Sequence, residues 1–156
     1  MFGFGKSKKK ALSDEVHGQI TTLCSTADDL AKEERFAAAL KLYWQAYDLL
    51  PEPKTQWEAA TWILGAIGDA NFFSGDYQAG RDNLTSAMHC PDAIGNPFFH
   101  LRLGQCQYEL GNHDRAADEL ARAFLLEGAE LFAEEDPKYL EFVKGQLKEP
   151  PGGWEA

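Results

Sequence analysis

The stretch LGQCQYELGNHDRAADELARAF, from Leu103 to Phe124, decides the fold of this chain because it predicts two helices joined by a tight turn. Apolar and small residues recur at helical spacing on both sides of Gly111-Asn112, a dipeptide typical of turns. Gly104 lies inside the first of these helices, where a glycine costs about 1 kcal/mol relative to alanine. The rest of the chain indicates why a helix would keep it.

The same pattern occurs earlier in the chain at a fixed distance. The segment ILGAIGDANFFSGDYQAGRDNLTSAM matches HLRLGQCQYELGNHDRAADELARAF at an offset of 36 residues. The matched pairs are Gly68 and Gly104, Gly75 and Gly111, Gly80 and Ala116, Leu84 and Leu120, and Ala87 and Ala123. A weaker copy, ERFAAALKLYWQAYDLLP, lies upstream at an offset of 41. The sequence therefore predicts an internal repeat.

These segments resemble the tetratricopeptide repeat (TPR) family, whose unit is a helix–turn–helix of about 34 residues. The resemblance covers about residues 20–127. It is carried by Leu103-Gly104, Ile67-Gly68, Gly75-Asp76-Tyr77, Gly111-Asn112, Ala39, Ala46, Ala87, Ala116, Ala123 and Pro51. The first repeat departs from the family pattern, because Ala27 replaces the early glycine and Glu34 replaces the turn glycine.

The resemblance implies an all-α fold, a short α-solenoid of about three TPR helix pairs plus a C-terminal capping helix. We expect repeats at about 13–50, 55–89 and 97–127 and a capping helix at 136–147, within one domain from 13 to 147. A basic flexible N-terminus, 1–12, and a flexible tail, 148–156, flank it. The resemblance also places Gly68 and Gly104 where the two helices of a repeat cross closely, facing the small residues Gly80 and Ala116.

Local signals predict where several helices begin. Ser13 is expected to cap the first helix, and Asn96 followed by proline is expected to begin the fifth. Thr55 and Glu58 have the spacing of a capping box and predict the start of the third helix. Asp136, again followed by proline, is expected to begin the last.

Composition limits the classes of partner. The chain has 156 residues, of which 44% are hydrophobic, and a formal net charge of −10. Four lysines lie in the first ten residues, so the other 146 residues carry 11 basic and 25 acidic side chains, a net charge of −14. An acidic body repels nucleic acid and anionic membranes and favours basic protein partners. No apolar run reaches the length of about 18 residues that spanning a membrane requires.

The chain offers no convincing set of catalytic or metal-binding residues. Three widely spaced cysteines fit reduced thiols in a cytoplasmic protein. His89, Cys90 and Cys106 lack the spacing of a zinc site. The acidic run from Glu134 to Asp136 is better explained as a solvated linker and helix cap than as an acid–base pair. We therefore expect no catalytic residue, no metal and no cofactor.

In TPR proteins the first helix of each pair lines a concave groove, and the resemblance places the candidate binding residues there. The predicted partner-binding residues are Asp28, Trp62, Asp69, Phe73, Phe98, Arg102, Gln105, Tyr108 and Glu109. Aromatic and arginine side chains dominate the binding energy of many interfaces. Only Arg102 stands where the chaperone-binding members of the family carry a ring of basic side chains. An acidic C-terminal peptide is therefore predicted to bind poorly.

Overall similarity also links the chain to small bacterial TPR immunity proteins of polymorphic, Rhs-type toxins. This resemblance implies a cytoplasmic inhibitor that covers a secreted toxin domain of basic or mixed charge, with either the concave face or the loop 90–96. The alternative is a general TPR adaptor or a secretion chaperone. We expect a monomer or a weak homodimer.

Overall fold

The computed structural model describes residues 11–148 together with Pro151 and Gly153. The predicted basic N-terminus falls almost wholly outside the described residues, as does most of the predicted tail. The seven helices in the described part of the chain are α1 (Asp14–Lys32), α2 (Phe36–Asp48), α3 (Glu58–Phe73), α4 (Tyr77–Ala87), α5 (Pro97–Glu109), α6 (His113–Glu127) and α7 (Pro137–Gln146). Two short 3-10 turns, Lys54–Gln56 and Ala129–Phe132, precede α3 and α7.

The helices pack in the order of the chain, as a solenoid requires. The pairs are α1 with α2, α3 with α4, and α5 with α6, and each pair also contacts the next one along the chain. Helix α7 packs against α6 and closes the end of the row. No strand occurs among the described residues. The predicted all-α solenoid of about three helix pairs and a capping helix is confirmed.

The helix starts agree with the local signals in three of four places. The Ser13 hydroxyl accepts a hydrogen bond from the backbone N–H of Val16, and Asn96 and Asp136 cap α5 and α7. The capping box predicted at Thr55 is wrong, because Thr55 lies in a 3-10 turn and α3 begins at Glu58.

Trp57 explains why α3 starts later than predicted. Its side chain is buried, and the indole Nε1–H donates a 2.8 Å hydrogen bond to the carbonyl of Pro51. This contact ties the chain to the end of α2 and keeps the backbone of Trp57 extended. The ammonium group of Lys54 donates a 2.6 Å hydrogen bond to the carbonyl of Leu50. The connection thus also provides a donor for a carbonyl that has no partner within the helix at the end of α2.

Gly104 and Gly68 mark close helix crossings, and a leucine of the paired helix packs over each. A Cβ added to Gly104 would lie 2.7 Å from Cγ of Leu120, and one added to Gly68 would collide with Leu84. The leucines fill the crossing because each lies fully buried over the glycine of its own pair. Gly80 approaches Gly68 as predicted, since a Cβ there would lie 3.5 Å from the carbonyl oxygen of Gly68. It also leaves room for the next pair, because the same Cβ would lie 2.8 Å from Sγ of Cys106. The two leucine contacts repeat at the 36-residue offset found in the sequence.

The turn inside each pair also repeats. The same backbone hydrogen bond, 2.9 Å long, runs from Arg35 N–H to the carbonyl of Leu30, from Asp76 to Asn71 and from Asn112 to Gln107. The turn needs a left-handed residue just before the donor. Gly75 and Gly111 supply it with φ of +83° and +80°, while Glu34 adopts φ of +60° in the first pair. Only Glu34 among these three carries a Cβ, which makes its conformation strained.

Candidate partner-binding groove

Helices α1, α3 and α5 present one side to a groove of about 570 Å³. We use the term "groove" for this concavity throughout. Its lining residues are Asp28, Ala31, Lys32, Glu34, Phe36, Tyr43, Trp62, Gly65, Ala66, Asp69, Ala70, Phe73, Phe98 and Phe99. Gly65 helps to form the floor, because a Cβ there would lie 2.8 Å from the ring of Phe99. The closely packed floor leaves the large aromatic side chains on the rim.

Two aromatic side chains on the groove are unusually exposed. Trp62 is 67% exposed and Phe73 is 54% exposed. The Phe73 ring stacks on Phe36 with centroids 6.4 Å apart and an angle of 14° between the rings. Clustered exposed aromatic surface of this kind is typical of binding sites, because its burial against a partner is strongly favourable.

The groove is acidic at its edge. Asp28, Glu34 and Asp69 contribute three carboxylates, and Lys32 contributes one ammonium group. The hydroxyl of Tyr43 donates a 2.5 Å hydrogen bond to Asp28. Burial, and then this bond to Asp28, raise the pKa of Tyr43 well above its ordinary value. The tyrosine therefore stays a donor at neutral pH and holds Asp28 in place.

A polar network fills the C-terminal end of the concave face, and we call it the Arg102 network. The guanidinium of Arg102 donates to Asp69 at 2.8 Å, to Gln105 at 2.8 Å and to both carboxylate oxygens of Glu135 at 3.1 Å. The amide of Gln105 donates to Glu135 at 3.0 Å. One arginine thus joins α3, α5 and the segment that leads into α7.

Aromatic rings surround the Arg102 guanidinium. Its central carbon lies 4.8 Å from the ring centroid of Phe72, 4.9 Å from that of Phe73 and 5.4 Å from that of Phe98. Cation–π attraction adds to the ion pairs at such distances. Burial raises the pKa of Asp69, and the neighbouring Arg102 only partly opposes this effect. Arg102 is thus shielded from solvent, while Asp69 remains partly exposed at the edge of the network.

Arg102 and Gln105, two of the predicted partner-binding residues, are buried in the structure. Arg102 is 6% exposed and Gln105 is 0% exposed, because Glu135 and the segment around it cover both. The Nε and Nη1 donors of Arg102 are already bonded within the chain, to Asp69, Gln105 and Glu135. The acidic run 134–136 therefore does more than link two helices, as Glu135 bonds to the core of the concave face.

Tyr108 and Glu109 are partly covered in the same way, by α7. The Tyr108 ring meets Tyr139 and Phe142 edge to face, at 5.4 Å and 5.1 Å between centroids. Glu109 accepts a 2.7 Å hydrogen bond from the Tyr139 hydroxyl and pairs with Lys138 at 2.5 Å. Burial acts to raise the pKa of Glu109, but the bonds from Lys138 and Tyr139 outweigh it and hold the pKa below its ordinary value.

The nine predicted binding residues therefore separate into two sets. One set lines the groove: Asp28, Trp62, Asp69, Phe73 and Phe98. The other set lies beyond it, under the C-terminal segment: Arg102, Gln105, Tyr108 and Glu109. The groove lining also includes residues outside the predicted set, among them Glu34, Phe36 and Tyr43. Tyr43 matches the core residue Leu84 in the repeat alignment, so the alignment predicted packing for it rather than contact with the groove.

The buried titratable groups are structural. Burial raises the pKa of the Cys106 thiol to about 12, and burial together with the nearby Asp28 raises that of Cys24 to about 11. His100 is buried, with Nε2 accepting from the N–H of Gly95 and Nδ1 bonded to Glu119 at 2.6 Å. No three His, Cys, Asp or Glu side chains in the described part of the chain are grouped to hold a metal ion. Within 11–148, no helix is long and apolar enough to cross a membrane.

Solved structures share this fold. No protein-family model and no curated protein matches the chain. The TPR domain of Arabidopsis OM64 superposes with a TM-score of 0.66 at 17% identity, covering 84% of this chain and 96% of that domain. The second TPR domain of human RPAP3, solved with the HSP70 peptide SGPTIEEVD, gives 0.65 at 14% identity and covers 86% and 99%.

A secretion chaperone is similar to the same degree. SycD of Yersinia enterocolitica, solved with a peptide of the translocator YopD, has a TM-score of 0.64 at 16% identity, covering 81% of this chain and 91% of SycD. At these identities the likeness establishes the fold alone. The chain has a TPR-like helical solenoid fold, in agreement with the resemblance drawn from its glycine and alanine pattern.

Proposed function

We propose that this chain is a protein-binding module that receives a segment of its partner in the groove. The observation that carries the proposal is the pair of exposed aromatic side chains, Trp62 and Phe73, on a groove whose floor is already packed. A preformed site orders few of its own side chains on binding. Little of the free energy gained by burying these rings is therefore offset by lost conformational entropy. Peptide complexes of the similar TPR domains add general support.

The partner segment that suits this groove differs from the acidic peptide bound to the RPAP3 domain. The cation nearest to the groove's C-terminal end, Arg102, already bonds to Asp69 and Glu135. A peptide ending in carboxylates would meet Asp28 and Glu34 as like charges. The peptide SGPTIEEVD is therefore a suitable negative control in binding experiments.

The narrower proposal is that the partner is a secreted bacterial toxin domain of basic or mixed charge, and that this chain is its immunity protein. The net charge of −10 supports this, because acidic inhibitors associate quickly with basic domains. The overall similarity to small TPR immunity proteins, noted from the sequence, supports it as well. The mechanism would be steric, with the bound chain covering the substrate cleft of the toxin.

Co-expression tests this proposal. The gene next to the one for this chain is screened for a toxin, and its C-terminal domain is expressed with and without this chain. We expect growth only when this chain is present. Continued killing in the presence of soluble, abundant chain would refute the immunity proposal. Stable binding without rescue would favour an adaptor or a secretion chaperone, the role named for the similar SycD.

Two tryptophans provide a matched test of the groove. Trp62→Ala removes an exposed ring from the groove and should weaken binding to the partner by about 2 kcal/mol or more. Trp44 is also partly exposed, at 36%, but it does not line the groove. Trp44→Ala should leave the affinity unchanged. Equal effects of the two substitutions, measured by titration calorimetry, would place the interface elsewhere.

A further inference from the structure

The edge of the groove combines aromatic rings with carboxylates that have few partners inside the chain. Trp62 and Phe73 offer exposed ring surface, and Asp28 and Glu34 lie exposed on the same groove. Lys32 is the one cation among the lining residues. A partner segment that is complementary to this surface carries a basic side chain beside apolar ones. Aromatic faces attract such a cation, since it can rest on a ring while it pairs with a carboxylate.

Glu34 stands out among these carboxylates because of its backbone. The matching residues of the other two pairs are Gly75 and Gly111, and all three adopt the left-handed conformation that the turn requires. A glycine at position 34 would make the same turn without the strain that a Cβ brings. The chain has instead a glutamate at this position, at the edge of the groove.

Backbone hydrogen bonds hold the turn at Glu34, but no contact of its side chain within the described part of the chain offsets the strain. Its side chain is exposed, and its carboxylate forms no hydrogen bond or ion pair with any described residue. Strained residues of this kind are found preferentially where a ligand binds. The carboxylate is thus free to meet a partner, in contrast to Asp28, which already accepts a hydrogen bond from Tyr43.

We propose that Glu34 is a partner-binding residue that pairs with a lysine or arginine of the bound segment, while apolar neighbours of that residue pack on Trp62 and Phe73. The occupant of the groove is therefore a basic and apolar peptide segment, such as one face of an amphipathic helix. This inference rests on the proposed function of the groove and adds the chemistry of the partner to it.

Selection from a random peptide library displayed on phage tests the inference with the full chain. Peptides that bind the wild-type chain and the Trp44→Ala variant, but fail to bind Trp62→Ala, depend on the groove. We expect these peptides to be enriched in lysine or arginine next to leucine, isoleucine or aromatic residues. Their affinities for the variants are then measured by fluorescence anisotropy at low and at high salt.

Glu34→Gly and Glu34→Gln should each lower the affinity for the selected peptides by about threefold to tenfold and reduce the salt dependence of binding. Glu34→Gln retains the Cβ, so it separates the loss of charge from the relief of strain. Asp92→Gly is the control, because Asp92 has the same φ of +60° but does not line the groove. It should bind the peptides like wild type.

The outcomes separate the two proposals. Groove-dependent peptides that bind Glu34→Gly and Glu34→Gln as tightly as wild type would overturn the role of Glu34 and leave the binding module intact. Groove-dependent peptides without basic residues would overturn the predicted chemistry of the partner. A library that yields no peptide sensitive to Trp62→Ala would refute the function proposed for the groove, and the inference with it.

Discussion

Alanine at two helical glycines should change stability in opposite directions. Gly18 lies in α1, and a Cβ there would have no neighbour within 4 Å. Gly18→Ala should therefore gain the full propensity difference, about 1 kcal/mol. At Gly104 the new Cβ would lie 2.7 Å and 2.8 Å from Cγ and Cδ2 of Leu120 and 3.0 Å from its backbone nitrogen.

Leu120 has little freedom to accommodate this Cβ. Its side chain is 0% exposed, and the contact with its backbone nitrogen cannot be relieved by a rotamer change. Helices α5 and α6 must separate slightly, and overpacking of this kind costs about 1–3 kcal/mol. The higher helix propensity of alanine offsets part of this cost. Gly104→Ala should therefore lower the free energy of unfolding by about 1 kcal/mol, and at most by about 2 kcal/mol. Gly104→Leu, with a larger side chain, should lose more.

Urea unfolding followed by circular dichroism measures both variants against wild type. A difference of about 2 kcal/mol between Gly18→Ala and Gly104→Ala corresponds to about 4–8 °C in Tm for a chain of this length. Equal m-values would show that the change lies in stability and not in the extent of unfolding. If Gly104→Ala were as stable as Gly18→Ala, the close crossing over Leu120 would be refuted.

Three further changes can be measured in the same way. Glu34→Gly should raise the free energy of unfolding by about 0.5–1 kcal/mol, because relief of the left-handed strain exceeds the entropy that glycine adds to the unfolded chain. A lower free energy of unfolding would mean that the carboxylate stabilises the turn. Arg102→Met should lower the free energy of unfolding by about 3 kcal/mol, since Asp69 and Glu135 would be left without the cation between them. A decrease below about 1 kcal/mol would show that solvent screens the ion pairs. The bonds from α7 lower the pKa of Glu109. Its ionised form therefore stabilises the fold at any pH above the unfolded pKa of about 4.3. This stabilisation is lost as the pH falls through the lower pKa of the folded state. The stability difference between wild type and Glu109→Gln should therefore shrink on acidification below about pH 4, and a constant difference would contradict the assignment.

The sequence predicted the fold because its signals are local and repeated. Small residues at a fixed offset identify helix crossings, and the left-handed turns favour glycine, which occurs at positions 75 and 111. The approach of Gly80 to Gly68 was predicted, but the leucine that fills each crossing was not. Alignment shows which positions match, but it does not show that a leucine side chain reaches the glycine from one turn away.

The exposure of the predicted site residues could be read from the sequence only in part, for a different reason. Helical periodicity assigns Arg102 and Gln105 to the concave side of α5, which is where they lie. Whether that side is open depends on the residues that fold back over it. Glu135 is 33 positions beyond Arg102, in an acidic run that is typical of solvated linkers. No periodic pattern in the sequence connects Glu135 with Arg102, so the sequence did not predict that Glu135 covers Arg102.

The Arg102 network also limits how this solenoid can vary in length. In an ordinary repeat protein each unit touches only its neighbours, so units can be inserted or removed with little effect on the others. Here Glu135 reaches back past α6 to Arg102 and, through it, to Asp69 in the preceding pair. An extra repeat inserted between α6 and α7 would carry Glu135 away and leave a buried guanidinium with one carboxylate fewer. The number of helices between Asp69 and Glu135 is therefore coupled to the charge balance of the interior.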